Sequence, residues 1–203
     1  MKEIAIIDYG AGNMASIINS LEYLGRKVKI LKEATDTHYS HIMLPGVGSF
    51  GKLSDNLKTL NFDKYIIENL KKGSFLFGIC VGMQLLFEKS EESPGKKGLG
   101  ILDGNFEKIL PLKGKFLPLP HVGFGKVKNI NAKLFENLQS EAYFYFIHSY
   151  YLKKVPKNSN YCISEYGEKF VSFIEKDNIY ASQFHPEKSH KRGLTLIENF
   201  LKL

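Results

Sequence analysis

Cys80, His185 and Glu187 are the side chains in this sequence whose types and surroundings suit covalent chemistry. Cys80 stands in Phe77-Gly78-Ile79-Cys80-Val81-Gly82-Met83-Gln84, after an apolar run that ends at Gly78 and just before the run Met83-Gln84-Leu85-Leu86-Phe87. The spacing predicts strand, sharp turn, helix. Glycine two positions before and two after the central residue is the pattern of a nucleophile elbow. There a strained turn lifts one side chain clear of the strand ends, and small neighbours let backbones approach it. At the first turn of a helix, unpaired N–H groups and the positive dipole end stabilise a negatively charged sulfur, the form that attacks carbon. A free cysteine is otherwise most often an apolar core residue; the flanking glycines argue for the elbow.

A sulfur nucleophile needs a base to take its proton and later hand one to a leaving amine, with an acid group orienting that base. His185 and Glu187 suit those roles in Gln183-Phe184-His185-Pro186-Glu187-Lys188-Ser189, where a strand gives way to a loop and Pro186 holds the two side chains in a fixed relation. Alone, a His-Pro-Glu loop is more often a cap or a turn; the elbow cysteine elsewhere shifts the balance to a catalytic pair. His121 and His148 are candidates to line the site, whereas His38, His41 and His190 have no supporting context. A third segment, Pro45-Gly46-Val47-Gly48-Ser49-Phe50-Gly51, follows a strand. Its glycines let backbone N–H groups turn toward a ligand, where one could join the N–H of Val81 in an oxyanion hole; by itself the segment reads better as a plain glycine turn, and its place before an elbow strand weakens that reading.

The elements that must position these groups alternate. Residues 2–7 form an almost continuous apolar run, as expected of a strand buried on both faces of a parallel sheet. A helix follows with Ala15, Ile17, Ile18, Leu21 and Leu24 on one face and Gly25 as its stop. Residues 28–31 and 41–44 are further strands, and residues 62–70 a helix. This alternation implies a doubly wound, mostly parallel α/β sheet. Residues 90–98 read as a polar, exposed connection. Beyond it the pattern changes to strands at 106–110, 122–127, 142–151, 161–166, 170–175 and 178–184, with a helix at 132–138 and a last one at 193–203. This half should add antiparallel strands, with turns at Glu168-Lys169 and at Lys176-Asp177-Asn178.

Gly10-Ala11-Gly12-Asn13-Met14-Ala15 also fits a dinucleotide fingerprint, with Glu33 near the place of a ribose-binding acid. Asp8 beside the pyrophosphate site argues against it, and a nicotinamide enzyme would leave the Cys80 elbow unexplained.

With 203 residues, 43% of them hydrophobic, the chain suffices for one sizeable core, and residues 1–203 are expected to form a single domain. No segment approaches a membrane span, and Asp8 interrupts the N-terminal apolar run where a secretory signal would continue, so a cytoplasmic location and no membrane partner are expected. Cys80 and Cys162 belong to no disulfide framework or metal-ligand spacing; Cys162 reads as core, and neither a metal nor a cofactor is expected. The formal charge is +7, but its source is scattered lysine, with Arg26 and Arg192 the two arginines, which argues against a nucleic-acid partner.

Taken together, Pro45-Gly46-Val47-Gly48, Gly78-Ile79-Cys80-Val81-Gly82-Met83-Gln84 and His185-Pro186-Glu187 resemble the class I (triad) glutamine amidotransferases. Asp8-Tyr9-Gly10-Ala11-Gly12-Asn13, Phe146-Ile147-His148-Ser149-Tyr150-Tyr151 and His185-Pro186-Glu187-Lys188-Ser189 narrow the resemblance to the glutaminase subunits of imidazole glycerol phosphate synthase. The resemblance spans essentially the whole chain. It implies that Cys80 is the nucleophile, His185 the acid/base and Glu187 its orienting partner. It further implies that the backbone N–H groups of Val47 and Val81 stabilise the oxyanion, while Gly48, Gln84, Ser149 and Tyr150 hold glutamine. Ammonia would pass to a separate (β/α)8-barrel cyclase subunit in histidine biosynthesis, with Tyr145, Lys188 and Phe124 near that interface. Where the family has Gly-Trp-Asn after His121, this chain has Val122-Gly123-Phe124-Gly125. That departure leaves open a paralogous synthase that modifies surface-polysaccharide sugars. Related cysteine peptidases and chaperone-like proteins place a histidine directly after the elbow cysteine, where this chain has Val81. A non-catalytic relative would lack part of the triad.

Overall fold

The computed structural model describes residues 3–111 and 116–203. Lys2, the first residue of the expected N-terminal strand, lies outside them. Strands β1 (Ile4–Ile7), β2 (Val28–Leu31), β3 (His41–Leu44) and β4 (Phe75–Ile79) run parallel in the order β2-β1-β3-β4. Every residue of β1 and β3 is buried, because helices cover both faces of such a sheet and apolar side chains must leave water on both. Helix α1 (Met14–Tyr23) follows β1 and buries Ile17 and Leu21. Helices α2 (Phe50–Thr59) and α3 (Phe62–Lys71) both fall between β3 and β4. Helix α2 was not expected: its start lies in a glycine-containing loop, and two apolar positions, Leu53 and Leu57, are all that mark its buried side beyond Phe50.

The sheet continues without a break into the second half. The fully buried strand β12 (Ile179–Ser182) pairs in parallel with β4, aligning Ala181 with Gly78 and Ser182 with Ile79. Next come β11 (Glu168–Lys176), β10 (Asn160–Tyr166), β7 (His121–Asn129) and β8 (Glu141–His148), each antiparallel to its neighbour. A side branch holds β5 (Lys89–Ser90), β6 (Asn105–Lys108) and β9 (Tyr150–Leu152), the last joined to β11 through Leu152 and Val171. The inner face of this half is aromatic. Phe144, Phe146, Phe173 and Phe184 are fully buried, with the first three each in ring contact with Phe184, each contributing about 2–3 kcal/mol by leaving water.

Several expectations change. The segment expected as a helix at 132–138 is a single 3-10 turn, Lys133–Phe135, which buries Leu134 and Phe135 and gives way to Asn137 at φ 64°. Glu168 and Lys169 lie inside β11, paired with Tyr166 and Glu165, and the turn is made by Gly167 at φ 74°. The strand expected over 142–151 is interrupted at Ser149. Residues 90–98 are not simply exposed: Ser90 is buried in β5, while the Glu92 carboxylate and the Ser93 hydroxyl accept the N–H groups of Phe50 and Gly51 at the start of α2 (2.8 and 3.0 Å). The last helix, α5 (His190–Phe200), starts earlier than expected.

Candidate active site

Four strand ends converge on Cys80. Strand β4 delivers it, its N–H bonded to the Ser182 carbonyl at 2.7 Å, and the short helix α4 (Val81–Leu85) leaves it. Cys80 has φ 55° and ψ −112°, a backbone conformation that L-residues rarely adopt. The elbow is therefore present, and the glycines around it are sterically required. A Cβ on Gly82 would lie 2.0 Å from the Leu44 carbonyl oxygen, and one on Gly46 2.2 Å from the Gly82 nitrogen. The run that follows Cys80 is buried from Val81 through Phe87 rather than one-sided.

His185 and Glu187 arrive from the far end of β12. His185 Nδ1 and Glu187 Oε1 are 2.7 Å apart with both side chains buried. The loop is fixed from two sides: the His185 N–H donates to the Tyr145 carbonyl (2.8 Å), and the Ser189 hydroxyl donates to the His185 carbonyl (2.6 Å). Helix α5 packs so closely on it that a Cβ on Gly193 would overlap the Pro186 carbonyl oxygen. With Nδ1 engaged, Nε2 is the nitrogen left for Cys80; it is buried and has no hydrogen-bond partner among the described residues. Burial alone would lower the imidazole pKa. The negative charge of a Cys80 thiolate and the Glu187 carboxylate outweigh burial and raise it well above the ordinary histidine value.

A cleft of ≈ 230 Å³ opens over the sulfur, and its lining includes Val47, Gly48, Val81, Gln84, Ser149 and Tyr150. All six residues expected around the substrate or its oxyanion thus meet at Cys80. One is differently engaged than expected: the Val81 N–H donates to the Gly46 carbonyl at 3.2 Å. The Val47 carbonyl in turn accepts the Gly12 N–H at 3.0 Å. That bond also disposes of the dinucleotide fingerprint. Gly12 directs its amide to Val47 and Gly10 directs its own to Asp8 Oδ1 (3.3 Å), so neither is turned toward a pyrophosphate.

Some contributors were missed in the sequence. Glu92 lines the cleft, and nothing in its polar surroundings distinguished it. Gln183 is fully buried, donating to the Cys80 sulfur at 3.7 Å and accepting from Gln84 at 3.2 Å. His148 lines the cleft and His121 lies behind it, their rings joined at 3.1 Å between Nδ1 of His121 and Nε2 of His148. His148 Nδ1 lies 2.8 Å from the Tyr150 carbonyl, so it carries the proton there, and His121 donates to His148 in turn. Burial lowers both pKa values, to about 4 for His121 and about 3 for His148. Tyr145, Lys188 and Phe124 form one cluster beside the catalytic loop. Lys188 lies over the Tyr145 ring (5.6 Å), and Phe124 meets Tyr145 edge-on (5.7 Å) and stacks on His190 (5.4 Å).

A family model described as Glutamine amidotransferase class-I matches residues 5–203. The chain is 45% identical over 204 residues to the imidazole glycerol phosphate synthase subunit HisH of Methanocaldococcus jannaschii, covering 98% of this chain and 99% of that protein. It is 42% identical over 206 residues to the protein of the same name from Pyrococcus furiosus, covering 100% of both. Among solved structures it is similar to PurLQS from Thermotoga maritima, with TM-score 0.75, 19% identity and coverage of 100% of this chain and 99% of that one. A glutamine amidotransferase from the same organism superimposes with TM-score 0.63 at 15% identity, covering 99% and 83%. At such identities the structural likeness speaks for the fold alone.

Proposed function

The chain belongs to the class I glutamine amidotransferases, and on that premise we propose that it is the glutaminase subunit of imidazole glycerol phosphate synthase, releasing ammonia from glutamine for histidine biosynthesis. The observation that carries this reading is Cys80 raised on its elbow into the cleft, with the buried pair of His185 and Glu187 interacting with it from behind the lining. Cys80 attacks the carboxamide carbon of glutamine and gives its proton to His185 Nε2. The carbonyl oxygen takes the electron pair as an oxyanion. When the pair returns, the C–N bond breaks, and His185 hands the proton to the departing nitrogen as ammonia leaves. Water deprotonated by His185 then attacks the glutamyl thioester; the C–S bond breaks as glutamate leaves, and His185 returns the proton to the Cys80 sulfur. Glu187 keeps the imidazole oriented and stabilises its charge.

Gly48, Gln84, Ser149 and Tyr150 hold the substrate, and the Glu92 carboxylate at the cleft suits its α-ammonium group. The oxyanion is received by the N–H groups of Val81 and Val47, which requires a local change. While the Gly46 carbonyl holds the Val81 N–H, that donor is not free. Rotation of the peptide plane between Gly46 and Val47 would release it and turn the Val47 N–H inward, a motion eased by the absence of a side chain at Gly46. Docking of the synthase supplies that change, so hydrolysis depends on the partner and glutamine is not wasted.

The partner surface is the outward face of β7 and β8, where Val122, Phe124, Tyr143 and Ile147 are exposed beside Tyr145 and Lys188. A (β/α)8-barrel cyclase docks there and receives the ammonia. The names of the curated relatives favour this partner over a sugar-modifying paralogue. Residues 1–203 act as one domain in the cytoplasm. No helix among the described residues is long and apolar enough to cross a membrane. The test is glutamate release by the purified chain, alone and with each barrel synthase of the same cell. Stimulation by the histidine-pathway cyclase and its nucleotide ligand is expected. Stimulation by a paralogue alone would move the pathway, and no glutamate under any pairing would overturn the reading.

A further inference from the structure

Asn13 stands at the start of α1 with φ 68°, yet its side chain does not cap that helix. Asparagine is among the preferred helix caps, and capping stabilises by about 1 kcal/mol, so its side chain has another use. Its Nδ2 donates to Glu187 Oε1 at 3.0 Å, across 174 residues of sequence, while its Oδ1 accepts the Ser16 hydroxyl at 3.0 Å. The two ends of an amide are chemically opposite. An ionised carboxylate only accepts, so Nδ2, and not Oδ1, must face it, and the Ser16 hydroxyl, which could donate or accept, donates to the Oδ1 left on the other side. Glu187 Oε1 thus receives both His185 Nδ1 and Asn13 Nδ2, whereas Oε2 is buried with no hydrogen-bond partner among the described residues. One oxygen anchors the carboxylate, and Asn13 supplies the donor that does not itself take part in proton transfer.

We propose that Asn13 is a positioning residue for the triad: it holds the Glu187 carboxylate in line with His185, with the Ser16 hydroxyl tethering the other end of its amide. The role rests on the glutaminase reading above. In the absence of Asn13, the His185 contact would be the remaining tie on a buried carboxylate with a free oxygen. Rotation about the terminal carboxylate bond would then exchange Oε1 for Oε2 and loosen the imidazole that must alternately accept and deliver a proton. Asn13 also follows directly on Gly12, which bonds to the Val47 carbonyl. A single turn therefore touches both the acid member of the triad and the loop proposed to form the oxyanion hole.

Asn13→Gly is the informative variant, because glycine adopts φ 68° freely and the change removes the side chain without straining the turn. Ser16→Ala removes only the hydroxyl that tethers the amide oxygen. Two measurements are made on each, with the full chain. The first is the low-field proton resonance of His185 Nδ1–H in chain labelled with ¹⁵N-histidine; the second is glutamate release in the complex with the barrel cyclase, together with the dissociation constant of that complex. In Asn13→Gly the resonance should shift and broaden, and kcat should fall about tenfold with KM for glutamine and the partner affinity within about twofold of wild type. Ser16→Ala should move both in the same direction by less. An unchanged resonance and kcat in Asn13→Gly, or a loss confined to KM or to docking, would overturn the proposal. If the wild-type chain releases no glutamate with any synthase while the resonance still responds to Asn13→Gly, the glutaminase reading fails and the positioning role stands.

Discussion

The Val81 N–H, the proposed first donor of an oxyanion hole at the elbow, is bonded to the Gly46 carbonyl 3.2 Å away. On the proposed mechanism the nucleophile and its base are in place, while the donor meant for the developing charge is occupied by the protein itself. One missing oxyanion donor lowers turnover by about a hundredfold to a thousandfold. Glutamine hydrolysis by the isolated chain should therefore be slower than in the synthase complex by at least about a hundredfold, with most of the difference in kcat. Equal rates with and without partner would mean that the bond between Val81 and Gly46 does not limit the reaction.

Cys80→Ala is expected to abolish glutamate release while the chain still folds and docks. Cys80→Gly should be equally inactive but more stable than Cys80→Ala by about 1 kcal/mol, reversing the usual order of these residues, because φ 55° and ψ −112° strain any side chain-bearing residue. Chemical denaturation of the two variants decides it; an alanine variant as stable as the glycine one would remove strain from the account of the elbow.

Glu187→Gln keeps the size of the side chain and removes its charge, so the imidazolium formed when His185 takes the proton loses the carboxylate beside it. Turnover should drop by about a hundredfold, less than in Cys80→Ala, because the orienting group of a triad is less costly to remove than its nucleophile. Full activity in this variant would exclude Glu187 from the triad.

Glu92→Gln should raise KM for glutamine about tenfold and leave kcat near wild type, since a carboxylate paired with the α-ammonium acts on binding rather than on the reacting bond. The same change weakens the acceptor for the Phe50 N–H at the start of α2, so a melting temperature measured alongside separates a substrate effect from a fold effect. A fall in kcat at unchanged KM would argue against the assignment.

Stability should peak near pH 6.5, for two opposite reasons. The His185 pKa is raised, from 6.5 to about 10. Below 6.5 the folded and unfolded chains both carry that proton, and the stabilisation it brings is fully present; between 6.5 and about 10 it is progressively lost. His121 and His148 are lowered, to about 4 and about 3. Between those values and 6.5 the unfolded chain binds more protons than the folded one, so stability rises with pH there. Each such group contributes at most about 1.4 kcal/mol per pH unit. Melting temperatures from about pH 4 to 10 test this. His121→Phe should flatten the acid limb and His185→Gln the alkaline one, and slopes unchanged by either variant would refute the assignment.

The chemistry was legible in the sequence where it depends on spacing along the chain. Gly78, Cys80 and Gly82 specify an elbow because the two glycines must lie against neighbouring backbone, although the strand runs on through Gly78 to Ile79. His185 and Glu187 are two residues apart across a proline, so their relation is local. The alternation of strands and helices up to residue 90 likewise follows from periodicity. Local pattern failed where long-range contacts decide. Helix α2 is started by the N–H acceptors Glu92 and Ser93 from a distant loop, and the 3-10 turn at Lys133–Phe135 is held in the core by burial of Leu134 and Phe135 rather than by helical propensity.

Tertiary structure alone could decide which groups meet. The pairing of β12 with β4 carries His185 from one end of the chain to the strand ends near Cys80, and the break at Ser149 turns Ser149 and Tyr150 into the cleft wall. Asn13 touches Glu187 across 174 residues, and the Gly46 carbonyl holds the Val81 N–H across 35. No spacing rule reaches that far, because hydrogen bonds of this kind are set by the packing of whole elements. The sequence by itself thus determined the reactive groups and the order of the elements that carry them; the three-dimensional fold decided their neighbours, their burial and hence their charge, and whether the oxyanion site is open.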